Sequence, residues 1–141
     1  MTNQTCLFCA IVNKKLHAGI LYEDDKVMAF LDIRPVNEGH TLIIPKDHYE
    51  TIDLVNDEAV YNKLFMTGKK IQLLLKEKLD NITGFNYLIA NGRDAGQEVF
   101  HVHLHIIPRK TNDGFGFKFG PNYGILLSEK EKDELTKKLL S

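Results

Sequence analysis

The elements read from the 141-residue sequence run β-β-β-α-β-β-α. This order predicts an α+β fold, with an antiparallel sheet of about five strands and one long helix packed on it. Two observations carry the prediction. Short apolar runs bounded by turn residues come in groups, and a helical repeat about six turns long interrupts them. Strands that come in runs do not fit a doubly wound parallel sheet, in which strands alternate singly with helices.

Residues 7–14 have the composition of a short helix. Gly-Ile-Leu-Tyr-Glu at 19–23 and Lys-Val-Met-Ala-Phe-Leu at 26–31 read as strands, joined as a hairpin through Asp24 and Asp25. Pro35 and Gly39 mark a loop, and His40–Pro45 is a third strand with a core run of Leu42, Ile43 and Ile44. A helix is expected from about Asp57 to Leu79. Asn56 is its candidate cap, acidic residues stand at its start and Lys76 and Lys78 at its end. Val60, Leu64, Ile71, Leu74, Leu75 and Leu79 share one face of that helix, and Gly68 allows close packing on the sheet. Residues 84–90 and 100–108 read as two further strands. Ser128 and Glu131 form a capping-box pattern before a last helix striped by Leu135 and Leu139.

At 43% hydrophobic with a formal net charge of -1, the chain can build its own core and has no basic surface that would imply nucleic acid. No segment approaches the ~20 apolar residues of a membrane span. The early apolar stretch Leu7–Val12 is too short for a secretory signal. The expected setting is the cytoplasm, and the expected organisation is one domain over residues 1–141. In a reducing compartment Cys6 and Cys9 argue against a structural disulfide. A Cys-x-x-Cys pair alone leaves a metal site, a redox couple or two unrelated thiols open.

The most informative stretch is His101-Val102-His103-Leu104-His105-Ile106-Ile107-Pro108. Strand side chains alternate faces, so His101, His103 and His105 share one face while Val102, Leu104 and Ile106 share the other. Two chemistries use such a face: a metal site, or attack by a neutral imidazole on phosphorus. Just upstream, the loop Asn91-Gly92-Arg93-Asp94-Ala95-Gly96-Gln97 can turn backbone N–H groups toward an anion, which favours a phosphate beside an imidazole.

Gly96–Ile107, with its His-apolar-His-apolar-His core, resembles the signature of the histidine triad family. Tyr22–Asp25, Phe30–Pro35 and Gly39–His48 match that family's N-terminal half in order and spacing. The resemblance covers about residues 6–110, and residues 111–141 resemble the tails of bacterial members. It implies a dimeric fold of the histidine triad kind and a nucleotide hydrolase or transferase acting on purine nucleoside phosphoramidates or related conjugates. Dinucleoside polyphosphate hydrolysis is the alternative within that chemistry, and a nucleotide-binding adaptor with little turnover is the alternative outside it.

By position, the resemblance makes His103 the nucleophile that forms a nucleotidyl-imidazole intermediate. His105 contacts phosphate oxygens and His40 completes the cluster. Asp32 takes the ribose hydroxyls, while Phe8, Ile11, Phe30, Ile33 and Leu42 wall the base. Gly96, Gln97, Glu98 and Val99 lie along the phosphates. Ala90 replaces an amide residue of well-known relatives, and Asn91 is the candidate to supply that contact. Glu98 replaces a hydroxyl residue near the leaving group, which disfavours a polyphosphate there. One branch of the family joins a Cys pair to two histidines. Cys6, Cys9, His48 and His101 would then form a closed structural Zn2+ site. His101 would be a ligand there, not a base. The family's dimer contacts correspond to the helix from residue 57 and the strand at 84–90.

Overall fold

The computed structural model describes residues 5–141. Helix α1 spans Leu7–Val12, and the strands are β1 (Ile20–Glu23), β2 (Val27–Leu31), β3 (Thr41–Pro45), β4 (Gly84–Leu88) and β5 (Leu104–Arg109). The long helix α2 is Glu58–Lys78 and the last helix α3 is Glu129–Leu140. The five strands form one sheet in the order β1-β2-β3-β5-β4, with every neighbouring pair antiparallel. The α+β expectation holds.

Alternation along the strands sorts the core into two layers. Val27, Ala29, Ile43, Val102, Leu104 and Ile106 pack with Val60, Leu64, Ile71 and Leu75 of α2. Met28, Phe30, Leu42 and Ile44 face the opposite way and pack with Phe8 and Ile11 of α1. Both faces of the central strands are covered, so β2 and β3 read as nearly unbroken apolar runs. The hairpin turns where expected: the Asp24 carboxylate accepts the amides of Lys26 and Val27 at 2.8 and 2.9 Å.

Gly68 lets α2 press on the sheet. A Cβ there would stand 3.0 Å from Tyr87 and 3.2 Å from Ile106. Gly39 is needed for its backbone. Its φ of +88° is the left-handed conformation that the third position of a type II turn requires, in the turn Asn37–His40 closed by the His40 amide on the Asn37 carbonyl at 3.0 Å.

Several expectations are corrected. The N-cap of α2 is Asp57, not Asn56: its carboxylate accepts the Ala59 amide at 2.9 Å and also holds the Lys26 ammonium at 2.7 Å. Leu74 is partly exposed, because the helical repeat turns the adjacent Leu75 inward with Ile71 and leaves Leu74 at the margin of the buried face. Helix α1 stops at Val12, and β4 stops at Leu88. The histidine strand begins at Leu104, not at residue 100. The backbone before it is engaged elsewhere: the amide of Val102 donates to the Tyr49 carbonyl at 2.7 Å and that of His101 to Val99 at 2.9 Å. The alternation of faces survives, since Val102 still packs with Leu104 and Ile106. The capping box on α3 forms as expected, but α3 has no buried residue, so Leu135 and Leu139 stripe an outward-facing surface. No helix among the described residues is long and apolar enough to cross a membrane.

Adding branched volume at the closest helix–sheet approach should be costly. Gly68→Val is expected to lower unfolding stability by about 1–3 kcal/mol in urea titration, the range for overpacking a filled core. Unchanged stability would mean that α2 does not press on β4 and β5 at this point.

Candidate functional site

Strand parity builds the site. Asp32 continues the face of Met28 and Phe30, and His40 precedes Leu42 and Ile44 on the same face. His105 stands beside Leu42 in the β3–β5 register. The amide of Asp32 donates to the His40 carbonyl at 2.9 Å, which carries the β2–β3 pairing one step beyond the strands. Asp32, His40, His103 and His105 thus meet on the face that α1 covers only in part.

Hydrogen bonds settle which nitrogen of each ring carries the proton. The Val36 amide donates to Nδ1 of His40 at 3.1 Å, so the proton of neutral His40 is on Nε2. That proton is donated to Nδ1 of His105 at 2.9 Å, which places the proton of His105 on its own Nε2. His103 is set the other way. Its Nδ1 donates to the main-chain carbonyl of His101 at 2.6 Å and leaves Nε2 with a bare lone pair. The His103 and His105 rings lie 4.8 Å apart, and the edge-on ring of Phe8 backs His103 at 5.2 Å.

Burial holds all these rings neutral. It pushes His105 down to about 4, helped by the neighbouring His103 and His40. It lowers His40 as well, against the pull of the Asp32 carboxylate. His103 is lowered by the same burial, which its bond to the His101 carbonyl and the charges of Asp32 and Glu98 only partly offset.

His101 belongs to a second cluster. Its Nε2 donates to the Pro45 carbonyl at 2.8 Å, so Nδ1 is free to bind a metal. Nδ1 lies 3.4 Å from Sγ of Cys6, 3.6 Å from Sγ of Cys9 and 3.3 Å from Nδ1 of His48, and Cys9 lies 3.4 Å from His48. A tetrahedral zinc site with ordinary bond lengths has S···N edges of about 3.5 Å and N···N edges of about 3.3 Å. The cluster therefore fits a tetrahedral ion with two sulfur and two nitrogen ligands. The Cys6, Cys9, His48 and His101 donor atoms all lie within 4.8 Å of one another, as do those of Asp32, His40 and His105. The second set does not fit a metal in the same way. Nε2 of His40 carries the proton it donates to His105, so it has no lone pair to give while Val36 holds Nδ1.

The remaining expected contacts are placed as follows. Phe8, Ile11, Phe30 and Leu42 are buried together beneath the site, whereas Ile33 at its edge is 88% exposed. One Asp32 oxygen accepts the Arg34 amide at 2.8 Å, and the other lies 3.6 Å from His40 Nε2. The Asn91 side-chain oxygen accepts the Ile52 amide at 2.8 Å. Gln97 is buried: its oxygen accepts the Gly92 amide at 2.8 Å, and its nitrogen donates to the Glu50 and Val99 carbonyls at 2.6 and 3.2 Å. Asn91 and Gln97 thus brace the loop through these groups. Gly96 turns that loop at φ +89°, with open space over its Cα. Val99 borders the α1 layer, and the exposed Glu98 is ion-paired to Arg34. Sequence reading missed Val36, Pro45 and Arg34, the first two because they act through main-chain groups that any residue type supplies.

Residues 13–112 match the sequence model of the HIT domain, the histidine triad domain, and the chain belongs to the HIT family. A HIT family protein of Bacillus subtilis has the same fold, with a TM-score of 0.87 and 34% identity, over 97% of this chain and 96% of that one. A Zn-bound histidine triad family protein from Mycobacterium smegmatis is 37% identical with a TM-score of 0.73, over 83% and 84% of the two chains. An adenylylsulfatase of Arabidopsis thaliana is 40% identical over 110 residues, which are 77% of this chain and 54% of that one.

The neutral rings predict an acid-labile fold. His105 has an ordinary value of 6.5 and falls to about 4 on folding. On acidification the unfolded chain therefore binds its proton first. The stabilisation is complete above the unfolded value and is lost as pH falls toward the folded one. Urea midpoints should drop between pH 7 and pH 5, and drop less in His105→Gln; parallel curves for the two proteins would refute this.

Proposed function

We propose that this protein is a nucleotidyl hydrolase or transferase of the bacterial histidine triad kind, acting at the α-phosphate of purine nucleoside phosphoramidates and related conjugates. The observation that carries the reading is the hydrogen bond from His103 Nδ1 to the His101 carbonyl, at 2.6 Å. It leaves a neutral imidazole with its Nε2 lone pair committed to nothing else, beside the donor ring of His105.

In this reading Nε2 of His103 attacks the α-phosphorus. The bond from phosphorus to the leaving nitrogen or oxygen breaks, and the leaving group departs with that electron pair and takes up a proton. Nε2–H of His105 donates to a non-bridging phosphoryl oxygen. The amides of Gly96 and Gln97 are spent inside the loop, on the Arg93 and Gly92 carbonyls at 2.9 and 3.1 Å, so further donors come from the amides of Glu98 and Val99. Water then attacks the nucleotidyl-His103 intermediate. Its oxygen bonds to phosphorus, the phosphorus–Nε2 bond breaks, and a water proton is released with the nucleoside monophosphate. Asp32 offers its second oxygen to the ribose hydroxyls, and Ile33 offers an exposed apolar surface to the base.

Glu98 need not exclude anionic leaving groups, because Arg34 pairs with its carboxylate. The kinship with an adenylylsulfatase supports including a nucleotidyl sulfate beside the phosphoramidates. A zinc ion held by Cys6, Cys9, His48 and His101 would supply a closed tetrahedral staple with no open coordination position. The kinship with a Zn-bound relative supports this assignment. The reduced thiols it needs suit the cytoplasm. A homodimer is supported by the exposed Phe65, Met66 and Leu73 on α2 beside the edge strand β4.

Three outcomes test the reading. His103→Ala should lower turnover of adenosine phosphoramidate by on the order of 10⁴-fold while nucleoside monophosphate binding persists; wild-type binding with no turnover on phosphoramidate, sulfate or dinucleoside polyphosphate substrates would favour an adaptor instead. Cys9→Ser should lose bound zinc by elemental analysis and melt at lower temperature, whereas a metal-free wild type of equal stability would remove the staple. Met66→Glu should shift a dimer toward monomer in sedimentation, and an unchanged mass would place the contact elsewhere.

A further inference from the structure

The clasp around Asn37 and Asp113 lies outside the expected site residues, yet it ends on His40. The Asp113 side chain is 5% exposed and accepts five hydrogen bonds. Two come from the Arg109 guanidinium, at 2.7 Å from Nε and 2.8 Å from Nη2. The amides of Lys110 and Phe115 add two at 3.1 Å each, and Asn37 Nδ2 adds the fifth at 2.7 Å. The other proton of that Asn37 nitrogen goes to the Pro108 carbonyl at 2.8 Å. Both protons of the amide nitrogen are thus committed, to acceptors on and just after β5.

Asn37 opens the type II turn that leads into His40. Its carbonyl takes the His40 amide, and the Val36 amide just before it donates to Nδ1 of His40 at 3.1 Å. Val36 is tied to this arrangement through the turn. Fixing Asn37 to β5 therefore fixes the distance over which Val36 reaches His40. The two histidines it governs, His40 on the β3 side and His105 on β5, are themselves joined at 2.9 Å across the same strand pair.

We propose that Asn37, anchored by Asp113 and Arg109, is a positioning residue: it holds the Val36 amide on Nδ1 of His40 and so dictates the Nε2–H form of both His40 and His105. This rests on the catalytic reading only for what the His105 proton is used for. The tautomers themselves are properties of the resting protein. Without the clasp, the turn can swing away from His40. That ring is then free to carry its proton on either nitrogen, and His105 loses the donor that makes its Nδ1 an acceptor.

Long-range 1H–15N correlation spectra of the full-length, histidine-labelled protein test this directly. In the wild type, His40 and His105 should both appear as neutral Nε2–H rings and His103 as Nδ1–H. In Asn37→Ala, the His40 and His105 signals should move toward an average of the two forms while His103 stays in place. On adenosine phosphoramidate, kcat should fall about ten-fold, the lower end of what partners behind a site's histidines contribute, with KM little changed. A wild-type His40 protonated on Nδ1 overturns the proposal without any variant. So does an Asn37→Ala protein whose His40 remains purely Nε2–H. If Asn37→Ala fails to fold, Asn37→Ser keeps one donor and should shift the same signals by less; an unshifted Asn37→Ser spectrum counts against the proposal equally. Wild-type protein that shows the stated tautomers but no turnover would overturn the enzyme reading and leave this one standing.

Discussion

The proton that His103 gives to the carbonyl of His101, across 2.6 Å, decides which of its ring nitrogens is bare. The rest of the site depends on where that carbonyl stands. His101 is fixed at three points: its amide on Val99, its Nε2–H on Pro45, and its Nδ1 in the Cys6, Cys9 and His48 cluster. One residue thereby joins the N-terminal helix, the end of β3 and the entrance to β5. A metal ion in that cluster would bear on the chemistry through this geometry, since the bond to His103 runs from the His101 main chain. Three histidines on one face thus divide into one that anchors, one with a free lone pair and one that offers a proton.

The two-layer core makes this division possible. Helix α2 packs against one face of the sheet over β2, β3 and β5, and Gly68 lets it lie close. Among the described residues, the opposite face is covered over β2 and β3 by the six-residue α1, with Cys6, Ala18 and Val99 at its border. Phe8 is the pivot of that smaller layer. It packs edge-on against Phe30 at 5.4 Å, against His103 at 5.2 Å and against His101 at 5.9 Å. The apolar residues that the family resemblance assigns to the base also support the ring that carries the lone pair. The covered part of the face keeps His103 dry, and the uncovered part leaves His105 and Asp32 within reach of a ligand.

Much of this was legible in the sequence, and the reasons are specific. Alternation alone brings His101, His103 and His105 to one face, and the same parity through 28-30-32 and 40-42-44 brings Asp32 and His40 to it. The long helix declares itself by the spacing of Val60, Leu64, Ile71 and Leu75. The start of β5 was not legible, because the amides of His101 and Val102 bond to Val99 and Tyr49 and nothing in the side chains records that. The true cap Asp57 differs from Asn56 by one residue of equal capping propensity, and what distinguishes it is the distant Lys26. The bracing roles of Asn91 and Gln97 and the pairing of Arg34 with Glu98 are contacts between residues far apart in the chain, which local pattern does not encode.

Neutrality and direction in this site are one property. An imidazole that is neutral both accepts and donates, so a row of them has a sense: Val36 N–H to His40, His40 to His105, His105 outward. A proton added to His40 would turn Nδ1 from acceptor to donor against the Val36 amide, and one added to His105 would do the same against His40. Burial prevents both by making the charged forms costly, as the depressed values of His40 and His105 record. The nearby carboxylates favour protonation, and two features limit them. Asp32 gives one oxygen to the Arg34 amide, and Glu98 is paired with the Arg34 side chain. Arg34 therefore serves both acids from one position, through its backbone and its guanidinium. The row ends in an N–H donor, and that polarity suits an anionic ligand; a phosphoryl group placed there also meets a bare nitrogen on the adjacent ring.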